Sequence, residues 1–456
     1  MATRSRIIVD TDPGVDDVLA MLFAFSALSE DVEVLLLSLT FGNVEVKNCL
    51  RNVVSMFHVI EKEIRWRSDN GRPQGFESLR KSKPLVAVGA ETPLADQMVM
   101  ADYFRKLQTR KKAAFTALFG PPFPFHPQHT SPEHTWKTMF ERPPGDTLLT
   151  ASAVKVSGID PTSQPSLFKP STRPSHLEIL RILEDNPVDT IDIVVIGPMT
   201  NIALAASESP QSFLRAKSVC VMGGAIAEPG NITPVGEFNI LADPTAAARV
   251  FALTSPDPAS TMPPTPPTPA DSQPHRYFLP SYPPKEKLGD RRLNLCLFPL
   301  DITEPHKLRQ EDFEKTIAPH VRQGSPLADW AQAFLGSTFR KMDALQHGHA
   351  GGGASFSLHD PLCVWYALTK EKQASDWQFK KAEDIRIETA GQWSRGMCVV
   401  DRRYRKMIDD EDEGRKVSSD NGGWLSRSKG NRIDRCVGTP GHEKLAVLIL
   451  DAVFGS

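Results

Sequence analysis

The chain has 456 residues, 40% hydrophobic and 24% charged, the composition of a globular protein with ample material for a core. Its 53 Lys and Arg against 55 Asp and Glu give a formal net charge of −2, which excludes the strongly basic surface that nucleic acid or an anionic membrane demands, so neither is an expected partner. The six cysteines stand singly, with no C-x-x-C pair for zinc or redox chemistry; the start lacks the apolar stretch of a signal peptide, and a reduced, cytoplasmic setting is expected.

Ser5 to Val9 reads as a short buried strand, Asp10 to Val15 as a Gly/Pro loop, and Asp16 to Leu28 as a helix with apolar spacing at Val18, Leu19, Leu22 and Phe25. Val32 to Thr40 is a second, near-continuously apolar strand, followed by Phe41-Gly42-Asn43 and a helical pattern through Ile60. Further strands are expected at Pro84 to Val88, Thr190 to Ile196 and Ser218 to Met222, with Thr200 to Ala206 helical. This alternation predicts an α/β protein: a Rossmann-like, open, mostly parallel central sheet with helices on both faces. Polar residues at the carboxyl ends of its strands are then the natural builders of a site. Three stretches interrupt the pattern: 104–132, 255–284 (proline-dense) and 409–431 (charged, Gly/Ser-rich and expected to be mobile). Strand-like sequence resumes after each, so one domain over residues 1–456 with irregular insertions is expected. No apolar run reaches the roughly twenty residues of a membrane span.

The densest chemical signal is Asp10-Thr11-Asp12-Pro13-Gly14-Val15-Asp16-Asp17, where a strand meets a helix N-terminus. Capping explains one or two of these carboxylates; all of them together describe a hard-cation site, calcium or magnesium held through oxygen. It is not an EF-hand loop, because Met21 stands where the closing glutamate would be. His359-Asp360-Pro361 sets an imidazole beside a carboxylate, a proton donor and a metal ligand for one cavity, although a helix cap with proline in the first turn has the same sequence. The loop from Gly230-Asn231 to Glu237-Phe238-Asn239 offers carboxamides and a carboxylate, the donors and acceptors that sugar hydroxyls need, in a stretch that otherwise reads as a turn. Asn43, at the end of the second strand, is by itself an Asx-turn residue.

In their order along the chain, DTDPGVDD, FGN, VVIGPMTNIA, VMGGA, GN, EFN, ADP and LHDP resemble the signature of the inosine-uridine-preferring nucleoside hydrolase family, and within it the fungal uridine nucleosidases. The resemblance covers nearly the whole chain outside the three irregular stretches. It implies hydrolysis of the N-glycosidic bond of ribonucleosides (uridine, with inosine and cytidine as further candidates) to base and ribose by a Ca2+-activated water, with inversion. It implies that Asp12 is general base and calcium ligand, that Asp17, Asp360 and the main-chain carbonyl of Ile196 are further ligands, and that Asp10 supports the metal shell. Asp16 and Asn43 would hold ribose hydroxyls, Asn231, Glu237 and Asn239 would complete the sugar pocket with Met222 packed near it, and His359 would serve the leaving base. A histidine at that point is similar to the inosine-uridine or pyrimidine-preferring branch. A homo-oligomer, dimer or tetramer, with a small-molecule nucleoside as its ligand, is implied likewise. The chain departs from the family pattern where Tyr103 to Arg110 replaces a His/Gly-containing loop near the base.

Two other readings fit part of the pattern. A phosphatase using Asp10 as nucleophile and Asp12 as acid on Mg2+ needs a second acidic motif after a strand, and Gly289-Asp290 lies in polar sequence instead. A non-catalytic relative that binds calcium and ribonucleoside is suggested by the altered base-side stretch.

Overall fold

A nine-stranded sheet, apolar in its inner strands, organises the computed structural model, which describes residues 4–94, 140, 167–264, 279–345, 353–408 and 420–455. The strands are β1 (Ser5–Thr11), β2 (Val32–Leu39), β3 (Leu85–Val88), β4 (Lys169–Ser171), β5 (Asp192–Val195), β6 (Ser218–Met222), β7 (Leu295–Phe298), β8 (Gln378–Glu383) and β9 (Ile433–Gly438). Their order is β8-β9-β7-β6-β5-β1-β2-β3-β4, parallel throughout except for the antiparallel pair β8 and β9 at one edge.

The helices that bear on the site are α1 (Val15–Ser26), α2 (Val46–Asp69), α3 (Ser175–Glu184), α4 (Thr200–Glu208), α5 (Phe238–Ala242), α6 (Pro244–Ala252), α7 (Leu300–Thr303), α8 (His359–Thr369) and α9 (Lys444–Phe454). Along β1, Ile7 and Val9 enter the core covered by α1, α2, α8 and α9, while Ile8 enters the one covered by α3, α4 and α6. A strand buried on both faces has no solvent side for polar residues, which is why these strands read as unbroken apolar runs. Each fully buried Ile, Leu or Val contributes about 1.5–3 kcal/mol, enough for the sheet to carry carboxylates at its ends.

β1 lies at the centre, with β2 on one side and β5 on the other. The chain reverses its direction of travel across the sheet between β1 and β5, and ligand crevices open at the carboxyl ends of strands at such a point. Asp10 to Asp12, Thr40 to Asn43 and Ile196 to Pro198 all converge there.

Several boundaries differ from the sequence expectation for identifiable reasons. β1 continues through Asp10 and Thr11, because Asp10 pairs in register with Ser38 on β2 and Val195 on β5. α2 runs past Ile60 to Asp69, held by a buried Glu63–Arg67 ion pair at 2.8 Å one turn apart, with Arg67 also donating to the Val453 carbonyl at 2.8 Å. The insertion at 104–132 lies outside the described residues, as do 265–278 and 409–419 of the other two. Residues 420–431 of the third insertion lie among the described residues. Trp424 stacks on the Arg386 guanidinium at 3.7 Å, and the buried Asn431 donates to the Ile385 carbonyl at 2.7 Å. Among the described residues, no helix is long and apolar enough to cross a membrane.

Candidate active site

Asp16 and Asp17 lie in the first turn of α1, and Asp360 in the first turn of α8. These two helices pack against each other, so both N-termini, with their free N–H groups and positive dipole ends, face the same acidic cluster. One carboxylate oxygen from each of Asp16, Asp17 and Asp360 lies within 4.8 Å of the others. Asp17 and Asp360 are buried and Asp16 is half-buried. Asp17 is the most heavily held: Thr11 Oγ1 donates to its Oδ1 at 2.5 Å, and Gly14 N and Asn43 Nδ2 donate to its Oδ2 at 2.9 and 3.1 Å.

Asp12 projects between two glycines. Asn43 N donates to Asp12 Oδ2 at 2.6 Å, and Asp12 Oδ1 is buried with no hydrogen-bond partner among the described residues. A Cβ at Gly42 would stand 2.0 Å from Asp12 Oδ2, and one at Gly197 would stand 2.6 Å from Asp12 Oδ1. Only hydrogen at both positions lets the carboxylate sit there.

The electrostatics follow from this crowding. Burial first, then the neighbouring Asp17 charge, pushes the Asp12 carboxyl well above the usual range. Burial and the Asp17 charge raise Asp16 to about 7, and burial with the charges of Asp16, Asp17 and Asp12 lifts Asp360 well above its ordinary value. Carboxyls crowded in this way ionise together only beside a compensating positive charge. Asp10 is raised to about 7 by burial, against the hydrogen bonds that Ser38 and Asn201 donate to its Oδ1.

The sugar-pocket candidates sit on the far side of β5. Glu237 caps α5, its carboxylate accepting from Gly224 N at 2.8 Å, Asn239 N at 2.9 Å and Ile240 N at 3.2 Å. Asn239 Nδ2 donates to the Met222 carbonyl at 3.3 Å and reaches the Ile196 carbonyl at 3.5 Å, so Met222, Asn239 and Ile196 form one cluster. Asn231 Oδ1 accepts from Phe238 N at 2.9 Å. Both Asn231 and Glu237 therefore shape the loop backbone as well as carrying polar groups. His359 Nδ1 lies 2.8 Å from Thr303 Oγ1, at the end of α7, and its Nε2 lies 3.5 Å from Glu304. Burial holds this imidazole down at about 4, against the opposing Glu304 charge.

The model of the family described as inosine-uridine preferring nucleoside hydrolase matches residues 7–421. The chain belongs to that family. Nucleoside hydrolases act on N-glycosyl compounds, and this chain is an enzyme of that class. An uncharacterised protein of Schizosaccharomyces pombe is 26% identical over 396 residues, 87% of this chain and 89% of that protein. A Salmonella paratyphi A protein named non-specific ribonucleoside hydrolase RihC is 29% identical over 251 residues, 55% of this chain and 59% of its own length. Among solved structures, a plant nucleoside hydrolase, PpNRh1, superimposes with a TM-score of 0.57 at 18% identity, and an inosine-guanosine nucleoside hydrolase with 0.58 at 18%, each covering 99% of both chains. At that identity the likeness shows the shared fold. Family membership displaces the phosphatase reading.

Sequence reasoning missed several residues that build this site. Thr11, Ser38 and Asn201 hold aspartates, Gly42 and Gly197 make room for Asp12, and Thr303 and Glu304 flank His359. The glycines lie inside motifs already singled out, FGN and IGP. Asn201 lies inside the quoted stretch VVIGPMTNIA, whereas Ser38 and Thr303 carry no local signal, because their partners are far away in the chain.

Proposed function

We propose that this nucleoside hydrolase cleaves uridine, with inosine and cytidine as further substrates, to free base and ribose, using Asp12 as general base and calcium as cofactor. The observation that carries the reading is Asp12 Oδ1, a buried carboxylate oxygen without a partner among the described residues, beside three clustered carboxylates.

The donor set suits a hard dication: carboxylates of Asp12, Asp17 and Asp360 with the Ile196 carbonyl would hold calcium through oxygen alone. When bound, calcium supplies a positioned water of lowered pKa. Asp12 takes a proton at Oδ1, while Asn43 N keeps Oδ2 fixed. Asp16, the half-exposed member of the cluster, and Asn43 bind ribose hydroxyls, with Asn231, Glu237 and Asn239 closing the sugar pocket around Met222. The clustered carboxylates stabilise the positive charge that develops on the sugar. His359, neutral at pH 7 because of its burial, hydrogen-bonds the departing base as an N–H donor, and Thr303 sets its ring orientation. A cytoplasmic setting fits the six buried, unpaired cysteines, and a dimer or tetramer follows from the family resemblance.

The test is to incubate the purified chain with uridine, inosine and cytidine separately, with and without Ca2+, and to measure free ribose. Calcium-dependent release that is lost in Asp12→Asn supports the hydrolase and ranks the bases. Calcium binding with no release from any of the three supports the non-catalytic relative instead.

A further inference from the structure

Asn201, the second residue of α4, is completely buried and touches three separate segments at the switch point. Its Nδ2 lies 2.9 Å from Asp10 Oδ1 on β1, and 3.2 and 3.0 Å from Ser38 Oγ and the Leu39 carbonyl on β2. Its Oδ1 accepts from Ala90 N, just beyond β3, at 2.8 Å. Gly89 permits this approach, since a Cβ there would stand 2.2 Å from Asn201 Oδ1. With both N–H bonds and the carbonyl engaged inside the protein, the carboxamide has no donor to offer a ligand.

These bonds fix the end of β2 and the loop that follows it. Gly89 N donates to the Leu39 carbonyl at 2.8 Å and Phe41 N to the Ala90 carbonyl at 3.2 Å, so the loops after β2 and β3 are tied to each other and, through Asn201, to β1. Thr40 N donates to the Thr11 carbonyl at 3.0 Å. Three residues further on, Asn43 N holds Asp12 Oδ2, with Gly42 pressed against the same carboxylate. The Asp12 carboxylate is thus held by Gly42 and Asn43, in a loop tied by backbone bonds to β1 and to the loop after β3, and Asn201 bonds the strand end that leads into it and the Ala90 N–H beside it.

We propose that Asn201 is a positioning residue for Asp12, acting through the end of β2 and the loop 40–43. The proposal rests on the hydrolase reading above. A carboxamide in an apolar core costs desolvation that a leucine would not. Here that cost accompanies a register between three strand ends and the general base, in a site where a displacement of about 1 Å lowers the rate by about 10²-fold. The Asn201 carboxamide is spent on protein partners, so its loss is expected to reach the chemistry through the position of Asp12.

The experiment measures kcat and KM for the nucleoside the wild type cleaves best, calcium affinity by titration calorimetry, and Tm, in Asn201→Ala, in Asn201→Asp and in the double variant Asp10→Asn with Asn201→Asp. The single variants are expected to lower kcat by about 10- to 100-fold, with KM and calcium affinity held within about threefold. The double variant restores one donor and one acceptor between β1 and α4, and part of kcat is expected to return. Unchanged kcat in both single variants overturns the proposal, as does a fall in kcat and calcium affinity with a rise in KM, all in step with Tm, which marks a purely structural residue. A wild type that releases no ribose overturns the hydrolase reading and this proposal with it; an active wild type whose variants keep full kcat overturns this proposal alone.

Discussion

Asn43 N donates to Asp12 Oδ2 at 2.6 Å, and the other oxygen of that carboxylate is left buried without a partner among the described residues. One oxygen is thereby oriented by the backbone and its twin is kept for a ligand. A general base needs this asymmetry, because a carboxylate bonded on both oxygens is a weak proton acceptor and one bonded on neither is not oriented.

Replacing Asp12 by Asn keeps the shape and removes the base. Ribose release is expected to fall by about 10²- to 10⁴-fold. In calcium-free buffer the variant is expected to melt at a higher temperature than the wild type, since a buried carboxylate crowded by Asp17 and Asp16 is replaced by a neutral group. Turnover assays and a thermal melt in chelator check the two halves, and an unchanged rate would remove Asp12 from its role.

Gly197→Ala places a methyl group 2.6 Å from Asp12 Oδ1 and 3.1 Å from Asp12 N. Because one of those neighbours is backbone, the contact is not relieved by a rotamer change alone. A loss of about 1–3 kcal/mol in stability is expected from overpacking, together with a fall in kcat larger than the change in Tm accounts for. Denaturant unfolding and steady-state kinetics on the same preparation separate the two effects.

Much of this arrangement was legible in the sequence because it is local. The strand, loop and helix around DTDPGVDD, the second strand with Asn43, and the His-Asp pair with its proline are each written in one continuous stretch of chain, and burial on both faces turns parallel strands into apolar runs that are easily read. What brings them together is not local. Nothing near Asp360 in the chain says that α8 packs on α1 and delivers its first turn to Asp16 and Asp17, and nothing near Asn201 names Asp10, Ser38 and Ala90 as its partners. The boundary errors have the same origin: Asp10 belongs to the strand because Ser38 and Val195 pair with it, and α2 extends because Arg67 finds the carbonyl of Val453.

The raised carboxyls also predict how calcium and pH combine. Asp10 and Asp16 move from an ordinary 3.8 to about 7. A carboxyl raised by folding binds a proton that the unfolded chain has released, so its contribution to stability is fully present below the unfolded value and is lost as the pH rises through about 7. Calcium held by these carboxylates would need them deprotonated and would gain affinity over the same interval. The difference in Tm between calcium-loaded and chelator-treated protein is therefore expected to widen as the pH rises from about 5 through about 7. A calcium shift of equal size at every pH would contradict the clustered carboxyls as its source.

His359 provides the last prediction, because its role depends on how badly the leaving group needs help. Uracil departs poorly without a hydrogen-bond donor, whereas p-nitrophenolate departs readily by itself. His359→Ala is expected to slow uridine hydrolysis by about 10²-fold or more and to leave p-nitrophenyl riboside cleavage within about tenfold of wild type. Thr303→Val removes the hydroxyl 2.8 Å from Nδ1, so the ring is no longer oriented, and an intermediate loss confined to uridine is expected. Equal losses on both substrates would show that His359 supports the site's shape or its calcium and does not assist the departing base, since a fault there slows every riboside alike.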